Sequence, residues 1–186
     1  MSTIEAYITD FDGTLCDTKA ANISAYSQAF KDADLTFDEA LYVEHFGHRF
    51  DEMMDVIAPN TSEEQREVVK KQKALHYTTD LHLVSVNDSL VEILRTAKEA
   101  GKKIGLATTA RRQNVEAILS HFSLLDLFDE MIFGEDVTKS KPDPECYTLI
   151  VERLGIAPEN CIVFEDSSIG IAAAEAAGTH VLKVTL

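Results

Sequence analysis

Four acidic residues stand directly behind short apolar segments, where β-strands would end. Asp10 and Asp12 follow one such segment in EAYITDFDG, and Glu165 and Asp166 follow another in CIVFED. Carboxyl groups that crowd one edge of a sheet need a cation, and ligation by oxygen alone suits Mg²⁺. The histidines and cysteines of the chain do not have the spacing of a zinc site. Each acid by itself has the pattern of an ordinary exposed residue at the end of a strand, so the prediction of a Mg²⁺ site depends on all four acids together.

Two further residues offer groups that bind phosphate. Thr108 follows the segment KKIGLA and supplies a hydroxyl, and Lys141 lies in SKPDPE and supplies an ammonium. Such donors hold phosphoryl oxygens and offset their charge. Alone, Thr108 would be a turn residue and Lys141 a solvated surface lysine. Beside the four acids, they predict phosphoryl-transfer chemistry.

The elements that would position these residues alternate between strands and helices. Apolar runs predict strands before Asp10, Thr108 and Glu165, at MIFG and at HVLKV, and segments with apolar residues at helical spacing separate them. Gly101 and Gly155 follow two of these helices, where a terminating glycine is common. The pattern predicts an α/β fold with a doubly wound parallel sheet, which binds ligands at the carboxyl ends of its strands.

Residues 16–84 interrupt the alternation and have a helical pattern throughout. We therefore predict an α/β catalytic core formed by residues 1–15 and 85–186, with a small helical cap, residues 16–84, inserted after the first strand. Thr61 and Glu64 have the spacing of a capping box within this insertion, and Ser62 is the alternative cap.

The composition limits the partners of the protein. The 186 residues include 17 basic and 32 acidic side chains, and the net charge of −15 repels nucleic acid and anionic membranes. A phosphate site must therefore be locally positive.

The three cysteines are scattered along the chain, which predicts reduced thiols and not a disulfide framework. The chain shows neither a signal-peptide pattern nor an apolar run of membrane-spanning length, so we expect a cytoplasmic protein.

Four segments, ITDFDGTL, LATT, SKPDPE and FEDSSIG, resemble the motifs of the haloacid dehalogenase superfamily in order and spacing. The resemblance implies a doubly wound core with a helical cap. It implies that Asp10 is a nucleophile that forms an aspartyl-phosphate and that Asp12 is the general acid and base. It also implies Mg²⁺ bound by Asp10, the Asp12 carbonyl and Asp166, with Glu165 as a ligand directly or through water.

The same resemblance implies a set of phosphate-binding residues. They are Thr108, Thr109 and Lys141, with Gly13 and Thr14 in the turn after the nucleophile. Gly13 would permit close approach of the backbone, and Thr14 would steady the turn.

Within the superfamily, the chain resembles the branch of β-phosphoglucomutases and phosphoglycolate phosphatase-like enzymes. Dehalogenases and phosphonoacetaldehyde hydrolases lack the second aspartate, which is present here as Asp12. Mutases of this branch carry a cap histidine at the position of Asn22, and its loss favours transfer to water. Arg49 in the cap and Arg111 behind the second motif are further candidate substrate contacts.

We therefore predict a Mg²⁺-dependent phosphatase that hydrolyses small phosphate monoesters, such as sugar phosphates. The alternatives are a sugar-phosphate mutase of the β-phosphoglucomutase type and a non-catalytic binding or regulatory protein on the same fold. The intact set of Asp10, Asp12, Lys141 and Asp166 argues against the non-catalytic alternative. Nucleotide cofactors are not expected, because neither phosphate-loop glycine pattern is present.

Overall fold

The computed structural model describes residues 3–186, and their contacts divide into two compact units. The first unit comprises the chain up to Asp17 together with Val86–Leu186, and the second unit is Thr18–Ser85. Among the described residues, no helix has both the length and the apolar character needed to cross a lipid bilayer.

The described part of the chain, residues 3–186, forms seven strands and eight α-helices. The strands in chain order are β1 Ala6–Thr9, β2 Cys16–Asp17, β3 Ser85–Val86, β4 Lys103–Ala107, β5 Glu130–Ile132, β6 Cys161–Glu165 and β7 His180–Lys183. The helices are α1 Lys19–Asp32, α2 Glu39–Glu44, α3 Phe50–Ile57, α4 Glu63–Thr79, α5 Asp88–Glu99, α6 Arg112–His121, α7 Glu145–Leu154 and α8 Ser168–Ala176.

Five of the strands form a parallel sheet in the order β5-β4-β1-β6-β7, whereas β2 and β3 pair separately. The central strand is β1, and its last residue, Thr9, lies opposite both Leu106 on β4 and Phe164 on β6. The carboxyl ends of these three strands are therefore aligned across the sheet. The residues that follow them emerge at the same edge of the sheet, as expected for the carboxyl ends of parallel strands.

The sheet is buried between helices, which is typical of parallel sheets. Ile8, Val163 and Ile104 are fully buried. Helix α7 lies so close to β4 that a side chain on Gly105 would contact Ile150 at 3.0 Å. The predicted fold class, an α/β protein with a doubly wound parallel sheet, is confirmed.

Two helices of the first unit, α5 and α8, begin at residues whose side chains accept a hydrogen bond from a backbone amide of the first turn. The Asn87 side chain accepts a hydrogen bond from the Leu90 amide at 3.1 Å, and it thereby caps α5. Helix α7 starts at Glu145, and Pro144 is its N-cap. Gly155 ends α7 with φ of 69°, as its position predicts.

The second unit consists of α1 to α4, and α1 packs along α4. Its core is rich in aromatic rings around Tyr26, which stacks on Phe37 and Phe50. The capping box that opens α4 uses Ser62 and Gln65, so the pairing of Thr61 with Glu64 is wrong. The reason is that the Thr61 hydroxyl already donates to the Ala58 carbonyl at 2.7 Å.

All three cysteines are free and buried. Burial raises the pKa of both Cys146 and Cys161 to about 11. These thiols stay protonated near neutral pH and are poor nucleophiles.

Candidate active site

The ends of three neighbouring strands bring chemically active side chains to one edge of the sheet. Asp10 follows β1, and its amide donates to the Phe164 carbonyl at 3.0 Å. Thr108 follows β4, and its amide donates to the Ile132 carbonyl at 3.0 Å. Glu165 is the last residue of β6. All three side chains belong to residues that are buried.

Lys141 lies between two of these carboxylates. Its ammonium donates to Asp10 Oδ1 at 2.6 Å and to Glu165 Oε1 at 2.7 Å, and the lysine is buried. Burial alone would lower the pKa of Lys141, but electrostatic interaction with Asp10 first, and then with Tyr147 and Glu165, raises it well above its ordinary value. The ammonium is therefore charged at neutral pH and supplies the local positive charge that a phosphate site in this acidic protein requires.

Both carboxylate oxygens of Glu165 are hydrogen-bonded to protein donors. Oε1 accepts from Lys141 and from the Tyr147 hydroxyl, and Oε2 accepts from the amide and the hydroxyl of Ser167, each at 3.0 Å. A side chain on Gly170 would overlap this carboxylate. Burial raises the pKa of Glu165, but the positive charge of Lys141 and the hydrogen bonds from Lys141 and Ser167 outweigh it and lower the pKa. Glu165 thus anchors Lys141 and the start of α8.

Asp10, Glu165 and Asp166 each present a carboxylate oxygen within 4.8 Å of the others, a grouping that can hold a metal ion. Burial raises the pKa of Asp10 to about 8, because Lys141 must serve two carboxylates and offsets only part of the cost. Burial also raises the pKa of Asp166, with Thr14 opposing. The cluster carries more negative charge than one ammonium neutralises, and its donors are all oxygens. Both properties fit Mg²⁺.

The turn after Asp10 places Gly13 against Asp166. Gly13 has φ of 86°, and a Cβ there would lie 2.5 Å from Asp166 Oδ2. The Thr14 hydroxyl donates to Asp166 Oδ1 at 3.0 Å. The Gly13 amide donates to the Cys16 carbonyl at 2.8 Å, so it is occupied within the turn. Asp12 is half-buried in the same turn. The structure therefore uses Gly13 and Thr14 to position Asp166, and their direct contact with phosphate stays a prediction.

We expect Gly13→Ala to weaken Mg²⁺ binding by about tenfold or more, because the added methyl group must displace the Asp166 carboxylate. Gly101→Ala is a matched control, since Gly101 has φ of 76° but open space around its Cβ position. Both variants should lose about 1–2 kcal/mol of stability from the positive φ. Mg²⁺ titration by calorimetry measures the difference, and equal affinities in the two variants would contradict the close approach.

The loop after β4 carries Thr108 and Thr109. The Thr108 hydroxyl accepts from the Ala110 amide at 3.0 Å, which tightens the loop around it. Thr109 is half-buried, and its carbonyl lies so close to Gly134 that a side chain on that glycine would overlap it. Both threonines are therefore held by a compact pair of loops.

The two arginines behind this loop have different environments. Arg111 is exposed at the N-terminus of α6. Its neighbour, Arg112, pairs with Asp136 at 3.2 Å and lies over the Phe133 ring at 4.0 Å. Arg112 thus joins the loops after β4 and β5, and a substrate contact of Arg111 stays a prediction.

The loop that carries Lys141 is braced by Glu145 from the start of α7. The Glu145 carboxylate accepts from the Thr138 and Lys139 amides at 3.0 and 2.7 Å. Those bonds lower the pKa of Glu145. Asp143 accepts from the Glu145 amide at 3.1 Å and pairs with Lys139 at 3.1 Å. The bonds to Glu145 fix the backbone of the loop directly before Lys141.

The remaining predicted contacts, Asn22 and Arg49, belong to the second unit. Asn22 is buried in α1, and its side-chain amide donates to the Thr18 carbonyl at 3.1 Å. Arg49 is the N-cap of α3, and its backbone amide donates to Glu52 at 3.3 Å. Their roles towards a substrate stay predictions.

Three residues of the site were not predicted from the sequence. Tyr147 bonds to Lys141 and Glu165, Ser167 bonds to Glu165, and the Asn87 side chain donates to the Thr14 carbonyl at 3.2 Å. Ser167 lies within the FEDSSIG motif, so a capping serine after the acidic pair was an available signal. Tyr147 and Asn87 appear in the sequence only as members of helical segments.

The fold with its acidic site, together with relatives that are named phosphatases, defines an α/β enzyme of the phosphoric monoester hydrolase class. The chain belongs to the haloacid dehalogenase-like hydrolase family, which matches residues 7–184. The superfamily predicted from the four motifs is thereby confirmed.

Similar proteins include both phosphatases and mutases. A "phosphorylated carbohydrates phosphatase" of Thermotoga maritima is 32% identical over 180 residues, which cover 94% of this chain and 82% of that protein. The structure of CbbY from Rhodobacter sphaeroides in complex with phosphate has a TM-score of 0.90 at 25% identity and covers 99% and 87% of the two chains. A β-phosphoglucomutase from Clostridium difficile has a TM-score of 0.86 at 26% identity, with 99% and 86% covered.

Proposed function

We propose that this protein is a Mg²⁺-dependent phosphatase that hydrolyses small sugar phosphates through an aspartyl-phosphate on Asp10. The observation that carries the proposal is the buried Lys141 ammonium between Asp10 and Glu165, beside Asp166. This arrangement combines a carboxylate nucleophile, a fixed positive charge and a set of oxygen ligands at one edge of the sheet.

In the proposed reaction, an Asp10 carboxylate oxygen forms a bond to phosphorus while the bond from phosphorus to the leaving oxygen breaks. Asp12 protonates that leaving oxygen. Asp12 then removes a proton from water, which attacks phosphorus and releases phosphate with the Asp10 carboxylate restored. Lys141 and Thr108 bind the phosphoryl oxygens as their charge changes.

Mg²⁺ would be held by Asp10, Asp166 and the Asp12 carbonyl, and when bound it would neutralise charge on the phosphoryl group. Neither carboxylate oxygen of Glu165 is free in the structure, because one accepts hydrogen bonds from Lys141 and Tyr147 and the other accepts from Ser167. We therefore favour a contact of Glu165 with the ion through water over a direct bond.

The preference for sugar phosphates is supported by the similarity to the phosphatase from Thermotoga maritima, whose name specifies phosphorylated carbohydrates. A sugar-phosphate mutase is the second candidate, and the similarity to the β-phosphoglucomutase from Clostridium difficile favours it. Asn22, at the position of the mutase histidine, favours the phosphatase.

Product analysis separates the two candidates. The protein is incubated with Mg²⁺ and a panel of sugar phosphates and aryl phosphates, and with β-glucose 1-phosphate in the presence and absence of a glucose bisphosphate primer. We expect release of inorganic phosphate from several sugar phosphates, with or without primer. Conversion to glucose 6-phosphate faster than phosphate release would identify a mutase.

Addition of Mg²⁺ should raise the unfolding temperature, and the increase should be larger at pH 8 than at pH 5.5. The pKa of Asp10 is raised from 3.8 to about 8, so the protonated form stabilises the fold at low pH and this contribution is lost as pH rises through 8. Mg²⁺ replaces that proton and contributes about 2.7 kcal/mol at a hundredfold excess over its Kd. Thermal unfolding with Mg²⁺ and with a chelator measures the effect. Full activity after exhaustive chelation would contradict the metal assignment.

A further inference from the structure

We propose that Tyr147 is a positioning residue for Lys141, whose hydroxyl holds the lysine ammonium in the orientation needed for phosphoryl transfer. The inference rests on the proposed function and adds a residue to the same site. The sequence motifs that carry the catalytic residues do not include this tyrosine.

The Tyr147 hydroxyl connects the two partners that surround it. Tyr147 lies on α7 and is fully buried. Its oxygen accepts a hydrogen bond from the Lys141 ammonium at 2.9 Å, and its proton is donated to Glu165 Oε1 at 3.0 Å. The ammonium also lies 4.7 Å from the centre of the tyrosine ring. The hydroxyl thus closes a three-membered network with the lysine and the glutamate.

The geometry of an ammonium group explains why this network matters. Lys141 has three N–H donors, and its three closest acceptors are Asp10 at 2.6 Å, Glu165 at 2.7 Å and the Tyr147 oxygen at 2.9 Å. The Ala107 carbonyl is more distant, at 3.4 Å. When two donors are held by Glu165 and Tyr147, rotation about the terminal C–N bond is blocked. The third donor must then point towards Asp10, where the phosphoryl group would react.

Glu165 cannot compensate for the loss of the tyrosine hydroxyl by moving with the lysine. Its second oxygen is bound by the amide and the hydroxyl of Ser167 at the start of α8. The position of the carboxylate is therefore set independently of Lys141. Without the hydroxyl, the nearest remaining acceptor for the freed N–H is the Ala107 carbonyl, and a shift towards it turns the third donor away from Asp10.

Tyr147→Phe removes the hydroxyl and keeps the ring. We expect kcat on p-nitrophenyl phosphate with Mg²⁺ to fall about tenfold, with KM changed by less than about threefold, because the lost bond orients a group that acts on transition-state charge. Affinity for orthovanadate, measured by calorimetry, should fall by a similar factor. Tyr7→Phe is the matched control: Tyr7 is a half-buried residue of β1 whose ring stacks on Phe164 at 6.3 Å, and all three quantities should be unchanged.

A folded Tyr147→Phe protein with unaltered kcat and vanadate affinity would overturn the proposal, even if its unfolding temperature were lower. Should the variant not fold, ¹H–¹⁵N spectroscopy of the unsubstituted protein provides the test. A slowly exchanging Lys141 ammonium signal with a nuclear Overhauser contact to the Tyr147 ring is expected, and its absence would overturn the proposal. Lack of turnover on every phosphate ester would contradict the proposed function, whereas the ammonium signal would still decide whether Tyr147 holds the Lys141 ammonium in place.

Discussion

Asp10→Asn is expected to reduce turnover of every phosphate ester by about 10⁴-fold or more, because a side-chain amide cannot form the covalent intermediate. The amide is nearly the same size as the carboxylate, so the buried site should keep its shape. Steady-state kinetics with saturating Mg²⁺ measures the loss. Asp126→Asn is a suitable control because Asp126 is exposed, and its activity should equal that of the unsubstituted protein.

The same substitution has a second expected effect, which distinguishes a lost nucleophile from a damaged fold. In the absence of metal, Lys141 is shared by Asp10 and Glu165. Once residue 10 is uncharged, the Glu165 carboxylate alone remains to pair with the Lys141 ammonium. The metal-free variant should therefore be at least as stable as the unsubstituted protein at pH 8. Urea unfolding at pH 8 checks this point. Normal turnover by Asp10→Asn would remove Asp10 from its proposed role.

Lys141→Met is expected to have the second largest effect, on both activity and stability. Removal of the ammonium leaves Asp10 and Glu165 as buried carboxylates without a cation, which costs about 3–5 kcal/mol for a buried ion pair that loses one partner. Turnover should fall by about 10²–10³-fold at conditions where the variant is folded, since one donor to the phosphoryl oxygens is lost. Lys139→Met tests the same loop with an exposed lysine and should change neither quantity appreciably.

The stability loss of Lys141→Met should depend on pH. Without the ammonium, the folded-state pKa values of Asp10 and Glu165 rise above their unfolded values. Protonation of these carboxyls then stabilises the fold at low pH, and this contribution is lost as pH rises. The deficit in the free energy of unfolding should therefore be smaller at pH 5 than at pH 8, and a second substitution, Asp10→Asn, should restore part of it. A deficit below about 1 kcal/mol at pH 8 would show that the ion pair is not buried as described.

Much of the fold could be predicted from local patterns. Apolar runs that stop at Asp10, Thr108 and Glu165 mark the ends of strands, and helical segments between them imply parallel crossovers. In a parallel sheet, such ends meet at one edge. For that reason, the gathering of Asp10, Glu165 and Asp166 with Lys141 could be expected before any coordinate was available, and the structure brings them together.

Pairings within the site could not be predicted, because they depend on distances between elements that are remote in sequence. The sequence shows Glu165 as one of four similar acids, whereas the structure engages both of its oxygens with Lys141, Tyr147 and Ser167. Gly13 has the pattern of an ordinary turn glycine, and only the fold places Asp166 against it.

The choice of hydrogen-bond partners was decided by tertiary structure even over short distances. The sequence predicts Thr61 as the cap of α4, with Ser62 as the alternative, and the Ala58 carbonyl decides in favour of Ser62 by accepting a hydrogen bond from the Thr61 hydroxyl. Tyr147 lies six residues after Lys141, a spacing with no meaning on a regular helix. The chain turns between the two before α7 begins at Glu145, and that turn brings the phenol to the ammonium. Residue types and strand ends follow from local chemistry, but the partner of each buried polar atom follows from which elements pack together.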